Sequence, residues 1–423
     1  MSDSSIFISA GEASGEAYGA LLISALQQKL SAQNRAAAFF GMGGERMAAA
    51  GLERVVRAED MAVMGITEVV RHLPRIYGEF RKLKSAIRKR RPSVAILIDF
   101  PDVHFKLAEL LHRLRIPVIF FVSPQLWAWK QHRIRLVQRY VDKMLVIFPF
   151  EEPFYRQNHV NAEFVGHPLA DLPLPAISRE RFALENRLNP DSTWIALLPG
   201  SRAKEIRDNL PEMLVAANTL ANDLLQKSAA RISFIVPLAP TLTHEQRQMV
   251  VRLIEPHTPD LTVRLISDSG AEGAVGLTAG GARAALFHAR ASVVASGTAT
   301  VEAALIGNPF IVVYRVSPVT YAIAKRVVTV PHVAMANLIA GKRIVPELIQ
   351  DDFTASNIVQ RLEPLLPDGP PRQSMMQELL RIRTLLGAGR ANQGDAPGAI
   401  DRVAAITLEV LGLPSPVAES VQS

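Results

Sequence analysis

A chain of 423 residues exceeds what one hydrophobic core comfortably supports, so two domains of roughly 200 residues are expected. Hydrophobic residues at 48% with charged residues at 21% exclude a disordered chain, and the absence of cysteine excludes disulfides and thiolate metal sites. A formal net charge of +7 favours anionic partners, whether nucleic acid, nucleotide or membrane surface, without choosing among them.

The start, MSDSSIFISAGEASGE, has no basic segment before a long apolar stretch and is not expected to be a signal peptide. No uncharged apolar run reaches the roughly 18 residues of a membrane span. Ile6 to Ala10 reads as a short buried strand, followed by the glycine loop Gly11 to Glu16 and a helix from about Tyr18 to Leu30. In that loop Glu12 and Glu16 either cap the helix or meet a substrate hydroxyl. Ala37 to Phe40 is a second strand. Met61 to Ile66 is apolar without a clear period, and Thr67 to Arg91 reads as one or two helices with a strongly basic end that includes Arg81, Lys82 and Arg88. An apolar stretch beside such a run suits an anionic membrane surface; the alternative is an inner helix face with a solvated end.

Val94 to Asp99 is the next strand, and it runs into Phe100-Pro101-Asp102-Val103-His104. Ligands of open α/β sheets bind at the carboxyl ends of strands, so Asp99, Asp102 and His104 form the best acid–base constellation; capping of the next helix by Asp102 is the rival. Val118 to Val122 is a strand, and Trp127 and Trp129 after it either line a cleft or pack between helices. Met144 to Phe148 and Glu163 to Val165 close the first sheet, and the proline-rich stretch from Gly166 to Pro190 reads as the link.

A second set of strands follows: Ile195 to Leu198, Ile232 to Pro237, Thr262 to Ile266, Val293 to Ala295 and Phe310 to Tyr314, with helices between, including Leu210 to Leu225 and Arg283 to His288. The alternation predicts parallel sheets covered on both faces. Ile195 to Glu205, IALLPGSRAKE, joins a buried strand through Gly200 and Ser201 to a helix start beside Arg202, where free backbone N–H groups can hold an anion. It lacks the lysine–threonine ending of a nucleotide-hydrolase loop. Ser296, Gly297 and Thr298 open another helix that can hold phosphate oxygens, with Glu302 placed to meet a ribose diol or to serve as an ordinary charged position. Asn337 lies in apolar surroundings and serves a ligand or a fixed loop. Ser269 to Gly281 reads as a looser insertion, and Ile400 to Val410 as a helix inside a flexible tail.

Taken together, SAGEASGE (9–16), AVMGITEV (62–69), IDFPDVHF (98–105), VSPQLWAWK (122–130), FPFEEPFY (148–155), FVGHPLAD (164–171), LLPGSRAKEI (197–206), ASGTATVEAAL (295–305), YRVSPVTYAIAKR (314–326) and ANLIAGKRIVPELIQ (336–350) closely resemble the lipid-A-disaccharide synthase family, in family order over about residues 5 to 365. The resemblance implies an α/β fold of GT-B type, two Rossmann-like domains with parallel sheets facing across a cleft. It implies an acceptor domain over 1–170, a linker over 171–192, a UDP-sugar domain over 193–365, C-terminal helices over 366–413 returning to the first domain, and a flexible tail over 414–423. The implied reaction is an inverting transfer of 2,3-diacylglucosamine from UDP-2,3-diacylglucosamine to the 6-hydroxyl of 2,3-diacylglucosamine 1-phosphate, giving a β-1,6 disaccharide and UDP, with no metal or other cofactor.

Carried over by motif, Asp102 is the expected general base, with Asp99 supporting or competing. Glu12 orients sugar, Gly11, Ser14, Gly15, Glu16 and His104 belong to the acceptor site or its loop, and Arg202 offsets charge on departing UDP. Glu16 stands where the family commonly has aspartate, and His104 where it often has asparagine. The resemblance further implies a peripheral protein on the cytoplasmic face of the inner membrane, met through Met61, Val63, Met64, Ile66, Arg81, Lys82 and Arg88. Nucleic acid is not an expected partner, since basic and aromatic residues do not interleave as an RNA-binding sheet requires; homo-oligomerisation is left open.

Overall fold

The computed structural model describes residues 4–61, 66–228, 231–239, 242–258, 261–266, 280–327, 330–388 and 397–414. The chain divides into two compact units, Met1–Asp171 with Gly389–Ser423, and Leu172–Ala388. Each is a Rossmann-like α/β unit around a wholly parallel sheet.

The first unit carries β1 Ser4–Ala10, β2 Ala37–Gly43, β3 Leu52–Arg57, β4 Val94–Ile98, β5 Val118–Phe121, β6 Lys143–Val146 and β7 Ala162–Phe164, in the order β3-β2-β1-β4-β5-β6-β7. Its central strands are apolar at every position, as in VAILI and VIFF, because helices cover both faces. The helices are α1 Ala13–Ser31, α2 Glu45–Ala49, α3 Ala58–Met61, α4 Ile66–Arg90, α5 Pro101–Arg113, α6 Ile134–Tyr140 and α7 Glu151–Gln157. α1 begins well before the expected Tyr18. Gly15, which reads as a turn glycine, sits inside the helix with the place of its missing Cβ 3.4 Å from Ile98 Cγ2, so it serves close helix–sheet packing.

The basic run lies on one continuous helix, α4, whose Leu83 and Ile87 are fully buried while Arg81, Lys82 and Arg88 are exposed. Arg90 closes the helix against β3, paired with Glu53 and stacked 4.7 Å over the Phe40 ring. No helix among the described residues is long and apolar enough to cross a membrane.

The second unit carries β8 Thr193–Leu198, β9 Ile232–Pro237, β10 Val263–Ile266, β11 Ala291–Ala295, β12 Phe310–Tyr314 and β13 Glu347–Ile349, in the order β10-β9-β8-β11-β12-β13. Its helices are α8 Arg179–Asn186, α9 Ala203–Ser228, α10 His244–Ile254, α11 Gly280–His288, α12 Thr298–Ile306, α13 Pro318–Val327, α14 Met335–Ala340, α15 Ala355–Leu362 and α16 Pro370–Leu385. The stretch expected as linker contains α8, which packs Phe182 on Trp194 with ring centroids 5.8 Å apart, so it is part of this unit. α16 also stays here, on α12 and α14; α17, Ala399–Val410, returns to the first unit and packs on α1. The expected insertion at 269–281 lies outside the described residues except at its end, where α11 begins.

Candidate functional site

In each unit the chain leaves the middle of the sheet in two directions. The reversal falls between β1 and β4 in the first unit and between β8 and β11 in the second. The crevice outside the carboxyl ends at such a point is where open α/β sheets bind ligands.

At the first point, the loop after β1 brings Gly11 and Glu12, and the loop after β4 brings Asp99 to Asp102. A Cβ on Gly11 would lie 2.4 Å from the Phe100 ring, so only glycine lets the two loops approach this closely. Asp99 and Phe100 both adopt left-handed backbone, at φ 52 and 50, a conformation that side chains resist and that clusters at functional sites. The strain is held by hydrogen bonds. The Asp99 amide donates to Phe121 O at 2.9 Å, and His104 Nδ1 meets Asp99 O at 2.5 Å. Because that oxygen is a carbonyl, Nδ1 carries the proton; Nε2 then accepts from Ser9 Oγ at 2.8 Å. His104 is fully buried, and burial pulls its pKa down to about 4. It is therefore a neutral internal clamp on the strained loop, and its expected place in the acid–base constellation is corrected.

The two aspartates separate clearly. Burial, then the charge of Glu12, push the Asp99 carboxyl up to about 6, opposed by the hydrogen bond from the Phe100 amide. Asp102 lies on the first turn of α5 with its side chain 71% exposed, ion-paired at 2.6 Å to Arg133 Nη1. Glu16 is drawn into the fold: its Oε1 accepts the Arg46 amide at 2.9 Å, capping α2. Glu12 is exposed at the N-cap of α1 and makes no side-chain capping bond. Ser14 is half-buried in the first turn.

Beside this crevice a buried acid that sequence reading passes over organises the loop after β5. Glu151 accepts from Ser123 Oγ at 2.8 Å, Trp127 Nε1 at 3.0 Å and the Phe148 amide at 3.1 Å. Burial pushes its carboxyl up to about 7 against these donors. Tyr155 adds a hydrogen bond to Pro124 O at 2.7 Å. The only sequence signal was an acid among aromatics in FPFEEPFY. The tryptophan alternatives divide: Trp127 packs inside, whereas Trp129 is 42% exposed.

At the second point, Gly200 has φ 126, and Glu205 fills the space over it. The Glu205 carboxylate accepts the Ser201 amide at 3.1 Å and the Arg202 amide at 3.3 Å, and meets Arg202 Nη1 at 3.3 Å. The expected free amides of this loop are thus occupied by the chain's own acid; what remains for a ligand is the Arg202 side chain, 53% exposed. Tyr314, at the end of β12, sits beside this pair, its hydroxyl pKa raised by burial and then by the Glu205 charge.

The neighbouring loop is different. α12 begins after Gly297 without a side-chain cap and without an acid in its first turn, and Gly297 and Thr298 are exposed. Thr300 Oγ1 turns back to Gly297 O at 2.7 Å, and the Ser296 amide is held by Val313 O at 2.9 Å. An uncapped helix start with exposed backbone is the better anion cradle of the two. Glu302, in the next turn, has its carboxyl pushed up to about 7 by burial, opposed by the charge of Arg283.

Asn337 is corrected. Its amide donates to Val345 O at 3.0 Å and Glu347 Oε1 at 2.8 Å, and its oxygen accepts from the Ile344 and Val345 amides at 2.7 and 2.9 Å. All four positions are used inside the chain, so it fixes the loop before β13 and offers nothing to a nucleotide.

Among the described residues no group of three or more acidic or histidine side chains is arranged to hold a metal ion. Of the residues expected at a membrane, Met61 is corrected: it is 4% exposed and belongs to the core of the first unit. Val63 and Met64 lie outside the described residues, and Ile66 opens α4. Arg81 and Arg88 line a basic surface pocket with Lys84, Ser85 and Lys89, and Lys82 pairs with Glu79 at 2.7 Å.

A family profile described as lipid-A-disaccharide synthetase matches residues 6–395. A lipid-A-disaccharide synthase of Acidobacterium capsulatum is 58% identical over 407 residues, 96% of either chain. One of Koribacter versatilis is 47% identical over 403 residues, covering 95% of this chain and 98% of that one. Among solved structures, the calicheamicin glycosyltransferase CalG4 shares the fold with a TM-score of 0.57 at 16% identity, over 97% of this chain and 99% of that one.

Proposed function

We infer the reaction from one premise: the chain belongs to the lipid-A-disaccharide synthase family and is a glycosyltransferase. The reaction is transfer of 2,3-diacylglucosamine from UDP-2,3-diacylglucosamine to the 6-hydroxyl of 2,3-diacylglucosamine 1-phosphate, with inversion, releasing UDP. The first unit holds the acceptor and the second the donor nucleotide.

The observation that carries the assignment of roles is the half-buried Asp99 at the β1–β4 reversal. Inversion needs one base that takes the acceptor proton as the new bond forms and UDP leaves. A carboxylate raised to about 6 is ionised near neutral pH, yet binds a proton far better than an ordinary aspartate. Asp99 is that base, in place of the exposed Asp102, and Glu12 keeps its affinity for protons high while facing the sugar. On the donor side, the start of α12, with Ser296, Gly297 and Thr298, takes the diphosphate. Arg202 offsets the charge that grows on the leaving oxygen, work best done by preset donors. Glu302 accepts from the ribose.

The exposed basic face of α4, with Arg81, Lys82 and Arg88, meets the anionic cytoplasmic face of the inner membrane, where both lipid substrates reside. Purified protein in detergent with both lipids, and EDTA present, is expected to release UDP in step with disaccharide. Folded protein that binds UDP but forms no disaccharide would refute the reading.

A further inference from the structure

Asp102 and the loop after β5 have no part in the roles above, yet they are joined. The loop starts at Val122, a β-branched residue held at φ 62, and ends at Lys130, at φ 51. Both conformations are disfavoured for side-chain-bearing residues, and the buried Glu151 hub over-determines the loop between them by holding Ser123 and Trp127. At its end Lys130 Nζ lies 4.0 Å over the Trp129 ring, which fixes the ammonium without neutralising it; among the described residues it has no carboxylate partner.

Three residues on, Arg133 reaches back to the loop after β4. One Nη meets Asp102 at 2.6 Å, its side chain is 23% exposed, and the rest of the guanidinium has no partner among the described residues. β4 and β5 are adjacent, and the pair with Asp102 sets Arg133 beside the loop that carries Asp99; the Arg133 amide donates to Lys130 O at 2.9 Å, which ties the second cation to the first.

We propose that Lys130 and Arg133 form a phosphate subsite that recognises the anomeric phosphate of the acceptor sugar, with Asp102 as the positioning counter-ion of Arg133 and Trp129 as the platform of Lys130. The inference rests on the reaction assigned above. In a pyranose the carbons that carry the 6-hydroxymethyl group and the anomeric oxygen are the two bonded to the ring oxygen, so both substituents project from one edge of the ring. A base at the end of β4 and a cationic pair beside it therefore match the two ends of one sugar. A planar guanidinium already held on one edge presents its free donors to phosphate with little further ordering. The subsite selects phosphorylated acceptor and sets which hydroxyl faces Asp99.

The test is steady-state kinetics of the full chain in detergent on 2,3-diacylglucosamine 1-phosphate and on the same lipid without phosphate. Lys130→Gln and Arg133→Gln are each expected to raise KM for the phosphorylated acceptor by about tenfold or more, as loss of a charge-assisted hydrogen bond implies. KM for the donor and rates on the dephosphorylated acceptor stay near wild type, so the preference for phosphate collapses in the double variant. Lys130→Arg retains it. Equal losses on both acceptors, or an undiminished preference in the double variant, would overturn the subsite alone. Absence of wild-type transfer on either acceptor would overturn the reaction and this assignment with it.

Discussion

Replacing Asp99 with asparagine should cost activity and add stability, each by an amount the structure sets. The wild-type carboxyl is raised from 3.8 to about 6. At about 1.4 kcal/mol for each tenfold gain in proton affinity, this rise bounds the cost of the folded charge at roughly 3 kcal/mol, and partial solvent access reduces it to about 1–2 kcal/mol. Between pH 4 and 6 the folded state holds the proton that the unfolded state has lost, so wild-type stability falls as pH rises through that window and stays lowered above it.

Asp99→Asn removes this penalty. Denaturant melts should show the variant more stable by about 1–2 kcal/mol at pH 7.5, with the difference gone below pH 4. Turnover should fall by roughly 10²–10⁴ with UDP affinity intact, the usual range for losing a general base. In the wild type, kcat/KM should drop about tenfold per pH unit below about pH 6. A variant that is less stable at pH 7.5, or whose stability difference ignores pH, refutes the burial argument. One that turns over normally refutes the base.

Arg202→Ala should lower kcat by about 10–100-fold while leaving the melt unchanged, because the side chain is exposed and its contact with Glu205 is long; stopped-assay rates and a thermal scan check this. Glu151→Leu should lower stability by about 3 kcal/mol or more, because Ser123, Trp127 and the Phe148 amide lose their common acceptor, whereas Glu151→Gln should cost less, and denaturant melts at pH 7.5 measure both.

How much was legible in the sequence follows from how each signal is written. Strands buried on both faces announce themselves as apolar runs, so β4, β5 and β8 stood out. β3, LERVVR, and β13, ELI, did not, because an edge strand carries charges or is too short for a period. The site loops were legible because they end strands at the sheet reversal. What they do was less so, since a motif spells residues and not partners. IALLPGSRAKE reads as an open phosphate loop, and only geometry shows Glu205 closing over its amides. Asp99 and Asp102 are alike in the sequence; burial, and then the charge of Glu12, far along the chain, make them different. Burial itself, as for Glu151, is a property of the fold and leaves little local trace.

The central claim is a metal-independent acyl-sugar transfer with Asp99 as base. The most direct measurement is disaccharide formed per UDP released by wild type and Asp99→Asn in detergent with EDTA, between pH 5 and 8. The account predicts one disaccharide per UDP, a wild-type rate that falls below about pH 6, and a variant that binds UDP but transfers at a small residual rate without that fall. UDP release without disaccharide, or a variant as fast as wild type, would contradict it.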